Sequence, residues 1–211
     1  MMGCVWISKF LGIVLVFGCL PIAHTQDRAA AATIVVYNIN DPDSAELATY
    51  YAARRGIAQG HILGLDCSLK EEISRDDFNH TIADPFRKKM ISSGWWSMNP
   101  LAGHEVASSS IRFLAIIRGV PLKIAHDSMG HFAPSLGLMH PRMAKRNDAS
   151  VDSELAALGM PDFTPSGTIV NPFFGRFTQI LDETGFSGLL LPARLDGPTP
   201  SMVRRMIDDS L

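Results

Sequence analysis

At 211 residues, the chain is long enough for one sizeable domain behind a short export segment and too short for two full domains. Its 46% hydrophobic, 19% charged and 8% aromatic residues exclude the polar, highly charged composition of a disordered protein. Nineteen Lys plus Arg against 21 Asp plus Glu leave a formal charge of -2, so no global basic field exists to hold a nucleic acid or an anionic bilayer, and no nucleic-acid partner is expected.

The N-terminus places Lys9 before an apolar stretch from Phe10 to Ala23, followed by polar His24 to Arg28. This is the anatomy of a signal peptide, here assigned to residues 1–25, with cleavage expected between Cys19 and Ala32 and a periplasmic or extracellular mature chain. The stretch is shorter than the roughly 20 apolar residues of a spanning helix, so no transmembrane span is expected in the mature chain. Val16-Phe17-Gly18-Cys19 offers a second reading, a lipoprotein box with lipid on Cys19, against which bulky Phe17 counts. Cys4 and Cys19 fall within this segment, which leaves Cys67 as a buried or idle thiol with no disulfide partner.

Residues 32–211 read as a single α/β domain. The β-branched run Thr33 to Tyr37 predicts a strand, and Asp41 or Asp43 with Pro42 predicts the start of a helix that ends at Gly56. His61 to Leu65 predicts a second strand. Ser68 and Glu71 stand at capping-box spacing before a helical stretch buried through Ile73, Phe78, Ile82, Phe86 and Met90, with Pro85 predicting a break near Asp84. The nearly continuous apolar run Ile111 to Leu122 predicts a central parallel strand, whereas 92–110 and 125–150 read as loops. Asp152 is expected to cap a short helix through Leu158. Gly188 to Arg194 reads as the last strand, and Thr199-Pro200 opens a final helix whose Val203, Met206 and Ile207 are expected to dock on Leu189 to Leu191. The alternation predicts a mostly parallel sheet of about four strands with flanking helices, a flavodoxin-like or caspase-like partial domain.

Six ordered segments carry a resemblance. VVYNINDPDSAELATYYAARRGI from Val35, EEISRDDFNHTI from Glu71, IRGVPLKI from Ile117, ASVDSELAAL from Ala149, NPFF from Asn171 and RLDGPTPSMVRRMID from Arg194 together resemble a family of exported bacterial proteins without an assigned function. More distantly, a first strand, a helix ending in Arg-Arg-Gly and a late strand ending in Arg before an amphipathic helix look like the N-terminal half of gingipain-type cysteine peptidases, which have a caspase-like fold. That resemblance implies a catalytic His and Cys beyond residue 211, and Gly103-His104 does not match the catalytic pair because it precedes the strand at Ile111. It also implies that the chain is an N-terminal portion, whose uncovered sheet edge would favour self-association.

Ligands of open parallel sheets bind at the strands' carboxyl ends. Asn38, Asn40 and Asp41 after the first strand, Arg118 after the third, and Arg194 with Asp196 after the last are therefore the candidate ligand-binding residues. Guanidinium groups there suit a carboxylate or a peptide segment, and the competing reading is mutual pairing of Arg118 or Arg194 with Asp41 or Asp196. Asp152 and Glu154 are weak candidates for a hard cation, set against helix capping. His126, Asp127, His131 and His140 match no zinc spacing, and Trp95-Trp96 suit either stacking on a ligand or a hydrophobic plug. No complete catalytic constellation and no cofactor motif is present, so a non-catalytic envelope binding domain is the first functional expectation and the peptidase half is the alternative.

Overall fold

The computed structural model describes residues 28–100, 105–126, 148–160 and 187–210. The expected signal segment with Cys19, Gly103-His104, Asp127, His131, His140 and the NPFF motif lie outside the described residues. Four strands, β1 (Thr33–Asn38), β2 (Ile62–Leu65), β6 (Phe113–Ile117) and β9 (Leu191–Leu195), form an all-parallel sheet in the order β2-β1-β6-β9. The expected parallel α/β sheet is thus present. The strand order reverses between β1 and β6, as it does in flavodoxin-like sheets.

The apolar runs of β1 and β6 are continuous because both faces are covered. Ile34, Val36, Leu114 and Ile116 point to one side, where they meet Phe78, Ile82, Phe86 and Met90 as well as Val151 and Leu155. Val35, Ala115 and Ile117 point to the other, where they meet Leu47, Ala48 and Ala52 of α1 (Pro42–Arg55) and Val203 and Ile207 of α5 (Pro200–Asp209). Each large side chain fully buried in this way contributes about 1.5–3 kcal/mol. The final helix therefore packs beside α1 and against β9, the last strand as expected, with Leu195 bordering the same core. The residues of contact differ from those expected, since Leu190 belongs to the opposite core, Leu191 stays exposed and Met206 faces solvent.

Helix α1 is bounded as its sequence implies, by Asp41 accepting from the Asp43 amide at one end and Gly56 in the left-handed conformation, φ 67°, at the other. The second helical stretch is capped differently. Ser74 accepts from the Asp77 amide at the start of α2 (Arg75–Phe78), while Ser68 closes a local turn on the Lys70 amide. Between α2 and α3 (Asp84–Ser92) lies a π-helical turn, Asn79–Ala83, and the regular helix restarts at Asp84 with Pro85 in its first turn, where the ring nitrogen cannot continue the hydrogen-bond ladder. The region 92–110 is not all loop, because β4 (Trp96–Met98) and β5 (Val106–Ser109) pair antiparallel with an irregularity between Ser97 and Met98. Trp96 is buried edge-on to Phe86, and the half-buried Trp95 ring packs against His61 at 4.6 Å and lies 5.0 Å from the Lys89 ammonium, so both tryptophans take part in packing.

A three-stranded patch crosses the carboxyl end of the sheet. Here β3 (Glu72–Ile73) runs parallel to β7 (Lys123–Ile124), and β7 is antiparallel to β8 (Ala149–Ser150), which leads directly into α4 (Val151–Ala157). Pairing of so few residues ties the segment after β2 to the segment after β6 and so builds one wall of the region where the main strands end.

Among the described residues, β9 is an edge strand. The Leu191 amide and the Leu195 carbonyl both bond toward β6, so Pro192 and Arg194 present their backbone outward. Proline has no N–H, and only the Arg194 amide is left there as a donor, which makes this edge a poor template for another strand. Replacing Pro192→Thr restores the donor, and sedimentation velocity should then show concentration-dependent association greater than in the parent chain.

Candidate binding cleft

The carboxyl ends of β1, β6 and β9 surround a cleft of about 310 Å³, lined by Asp41, Arg118, Gly119, Asp196 and Gly197 and by the wall segments Leu69–Glu71 and Val120–Leu122. Its floor is organised by Asn38, the last residue of β1 and completely buried. The Asn38 side-chain amide donates to the Ser68 carbonyl at 3.0 Å and the Gly119 carbonyl at 2.8 Å, its oxygen accepts from the Asn40 amide, and its backbone N–H donates to the Ser44 hydroxyl. One side chain thereby joins the loops that follow β1, β2 and β6. Asn40 adds bonds to the Asp66 carboxylate and the Cys67 carbonyl. Asn38 thus supports the cleft and is not available to a ligand, while exposed Asn40 ties the loop after β1 to the segment after β2.

Gly119 permits the close approach on which this floor depends. It adopts φ 95°, and a Cβ there would lie 2.5 Å from an Asp41 carboxylate oxygen.

The two arginines expected to converge on this site have different tasks. Arg194 Nε donates to both carboxylate oxygens of Asp152, at 3.1 and 2.9 Å, and Nη2 donates to the same carboxylate. Nη1 and Nη2 also reach the Val120 and Pro121 carbonyls at 2.8 and 3.0 Å. With every guanidinium nitrogen engaged, Arg194 clamps α4 and the turn after β6 onto β9, and it is not among the residues that line the cleft. Its partner is Asp152, not Asp41 or Asp196 as the sequence suggested.

Arg118 is held more loosely. Its Nη1 forms ion pairs with Asp41 at 3.7 Å, the pairing that the sequence offered as the competing reading, and with Asp43 at 3.8 Å, both longer than hydrogen bonds, and its Nε makes a 3.3 Å bond to the Gly197 carbonyl. Among the described residues Nη2 has no acceptor. The guanidinium lines the cleft with its side chain 28% exposed. Asp196 accepts from the neighbouring Gly197 amide at 2.7 Å and forms part of the same lining without pairing to either arginine. Of the predicted set, Asp41, Arg118 and Asp196 therefore share the cleft, while Asn38 supports it from beneath and Arg194 braces its side.

Asp152 and Glu154 do not form a cation site. Ser150 caps α4 by accepting from the Ser153 amide, Asp152 is taken by Arg194, and buried Glu154 pairs with Arg75 at 2.9 Å. Among the described residues, no group of three or more His, Cys, Asp or Glu is arranged to hold a metal ion. Cys67 is buried, and desolvation together with the nearby Asp66 charge pushes its thiol up to about 12, so it stays neutral and is not a nucleophile near neutral pH.

Leu69, Lys70, Glu71, Leu122 and Gly197 line the cleft although the sequence marked none of them as a binding residue. Lys70 and Glu71 sit inside the apparent capping box, whose local reading obscured their place on the wall. A glycine directly after an arginine at the end of the strongest apolar run, Arg118-Gly119, was the available signal for a tight turn at a binding edge.

Substituting Arg194→Lys should lower stability by about 2–3 kcal/mol, since an ammonium cannot reproduce the two-pronged bond to Asp152 or both carbonyl contacts. Chemical denaturation measures this, and Arg118→Lys should change stability by less than about 1 kcal/mol in the same assay.

No protein-family model matches the chain, and neither a curated protein nor a solved structure matches it.

Proposed function

We propose that this chain is an exported, non-catalytic binding domain that holds a carboxylate-bearing ligand, such as the C-terminus of a peptide, in the cleft at the carboxyl ends of β1, β6 and β9. The observation that carries this reading is the contrast between the fully engaged Arg194 and Arg118, which borders the cleft with its Nη2 unoccupied among the described residues. A planar guanidinium in that state matches a carboxylate with two parallel hydrogen bonds. Leu69 and Leu122, both exposed large apolar side chains of the lining, offer a surface for an apolar side chain next to that carboxylate. Asp41 and Asp43 keep Arg118 in place when the cleft is empty, and a ligand carboxylate competes with them for the same cation.

Export rests on the lysine-led apolar segment at the N-terminus. A second reading, in which the cleft belongs to the N-terminal half of a gingipain-like peptidase, draws on the layout of a late parallel strand carrying Arg194 followed at once by an amphipathic helix. Hydrolysis of peptides by the natural protein would favour that reading over the binding domain.

Isothermal titration with acetylated dipeptides that end in leucine tests the binding function. The free acid should bind, the C-terminal amide should bind at least about tenfold more weakly, and Arg118→Gln should remove that preference. Equal binding of acid and amide, or an unchanged preference in Arg118→Gln, would overturn the assignment.

A further inference from the structure

The opposite end of the sheet carries a second concavity, of about 620 Å³, on the α1 side. Its floor consists of two cross-strand pairs, Phe113 beside Leu191 and Ala115 beside Ala193, and Ile57 forms part of the wall. Phe113 and Leu191 are 40% and 38% exposed, although both belong to strands of the main sheet. Helix α5 leaves them exposed, its buried residues Val203 and Ile207 lying in the core it shares with Leu47, Ala48 and Ala52 of α1.

Arg55 lines this apolar space at the end of α1. Its Nη2 donates to the carbonyl and hydroxyl of Ser210, but neither is charged, and Nε is buried without a partner. Among the described residues no carboxylate lies within ion-pair distance of Arg55. The adjacent Arg54, by contrast, pairs with Asp208 at 3.2 Å. A cation such as Arg55, without a counter-charge among the described residues and beside a low-dielectric surface, attracts an anion more strongly than one in open water. Apolar walls with one unneutralised charge at the rim are the complement of a molecule with an apolar body and one anionic end.

We infer that this groove binds a single-chain aliphatic carboxylate, its hydrocarbon lying along Phe113, Ala115, Leu191 and Ala193 and its carboxylate facing Arg55. The site is separate from the cleft at the carboxyl ends and does not depend on it. A concave shape with a single cation fits a small amphiphile better than a second copy of the chain, which the Pro192 edge also disfavours.

Titration of the full chain with dodecanoate below its micelle concentration tests the site. One equivalent should bind, and decanoate should bind about fifteenfold more weakly, at about fourfold per methylene removed. Arg55→Met keeps the apolar stem and should weaken dodecanoate at least tenfold while leaving a neutral dodecyl ligand unchanged. Ala193→Phe, on the exposed edge strand, should block both ligands with its thermal unfolding still cooperative, and Arg118→Gln should leave dodecanoate binding as it was. Absence of saturable binding, equal affinity in Arg55→Met, or a stable dimer that excludes dodecanoate would each overturn the inference.

Discussion

The fully buried Asn38 side chain is the tie on which the functional end of this domain depends. Parallel strands end side by side but their following loops diverge, and something must join those loops if a cleft is to have a defined floor. Asn38 does so by donating to Ser68 and Gly119 and accepting from Asn40, three segments that are far apart or turn sharply in the chain. An amide suits this position because it offers donors and an acceptor without charge, so burial carries no ionic desolvation penalty. A carboxylate of the same shape would lack the donors for two carbonyls, and a leucine would leave all three groups unsatisfied.

From that tie the rest of the cleft follows. Gly119 can approach Asp41 because it has no Cβ, and this brings Arg118 to the rim. The short β3-β7-β8 patch holds Leu69–Glu71 against Val120–Leu122. Arg194 then closes the side by joining β9 to α4 and to the turn after β6. Stability and recognition are divided between two arginines that occupy comparable positions at strand ends. The one with a bidentate carboxylate partner braces the structure, and the one whose acidic neighbours stay beyond hydrogen-bond distance faces the cleft.

Much of the scaffold was legible in the sequence because its signals are local. The β-branched and apolar runs of β1 and β6, the Asp41 and Gly56 boundaries of α1 and the interruption at Pro85 each involve residues that act on their immediate neighbours. The β4-β5 hairpin was not legible, since Ser-rich strands of three and four residues carry no alternating apolar pattern. The roles of Asp152 and Glu154 were hidden for a different reason. In sequence they resemble first-turn acids, but their partners Arg194 and Arg75 are 42 and 79 residues away, and local spacing favoured a cap that Ser150 provides instead. The same limit applied to Arg194. Its position at a strand end was correctly anticipated, whereas its full complement of acceptors became apparent only from the fold.

The division of labour between the arginines can be observed directly through their side-chain Nε–H signals in a nitrogen-resolved NMR titration with an acetylated dipeptide acid. The account predicts that the Arg118 signal shifts saturably with ligand while the Arg194 signal, fixed on Asp152, stays in place. Movement of Arg194 without Arg118, or saturable binding that leaves the Arg118 signal unmoved, would contradict it.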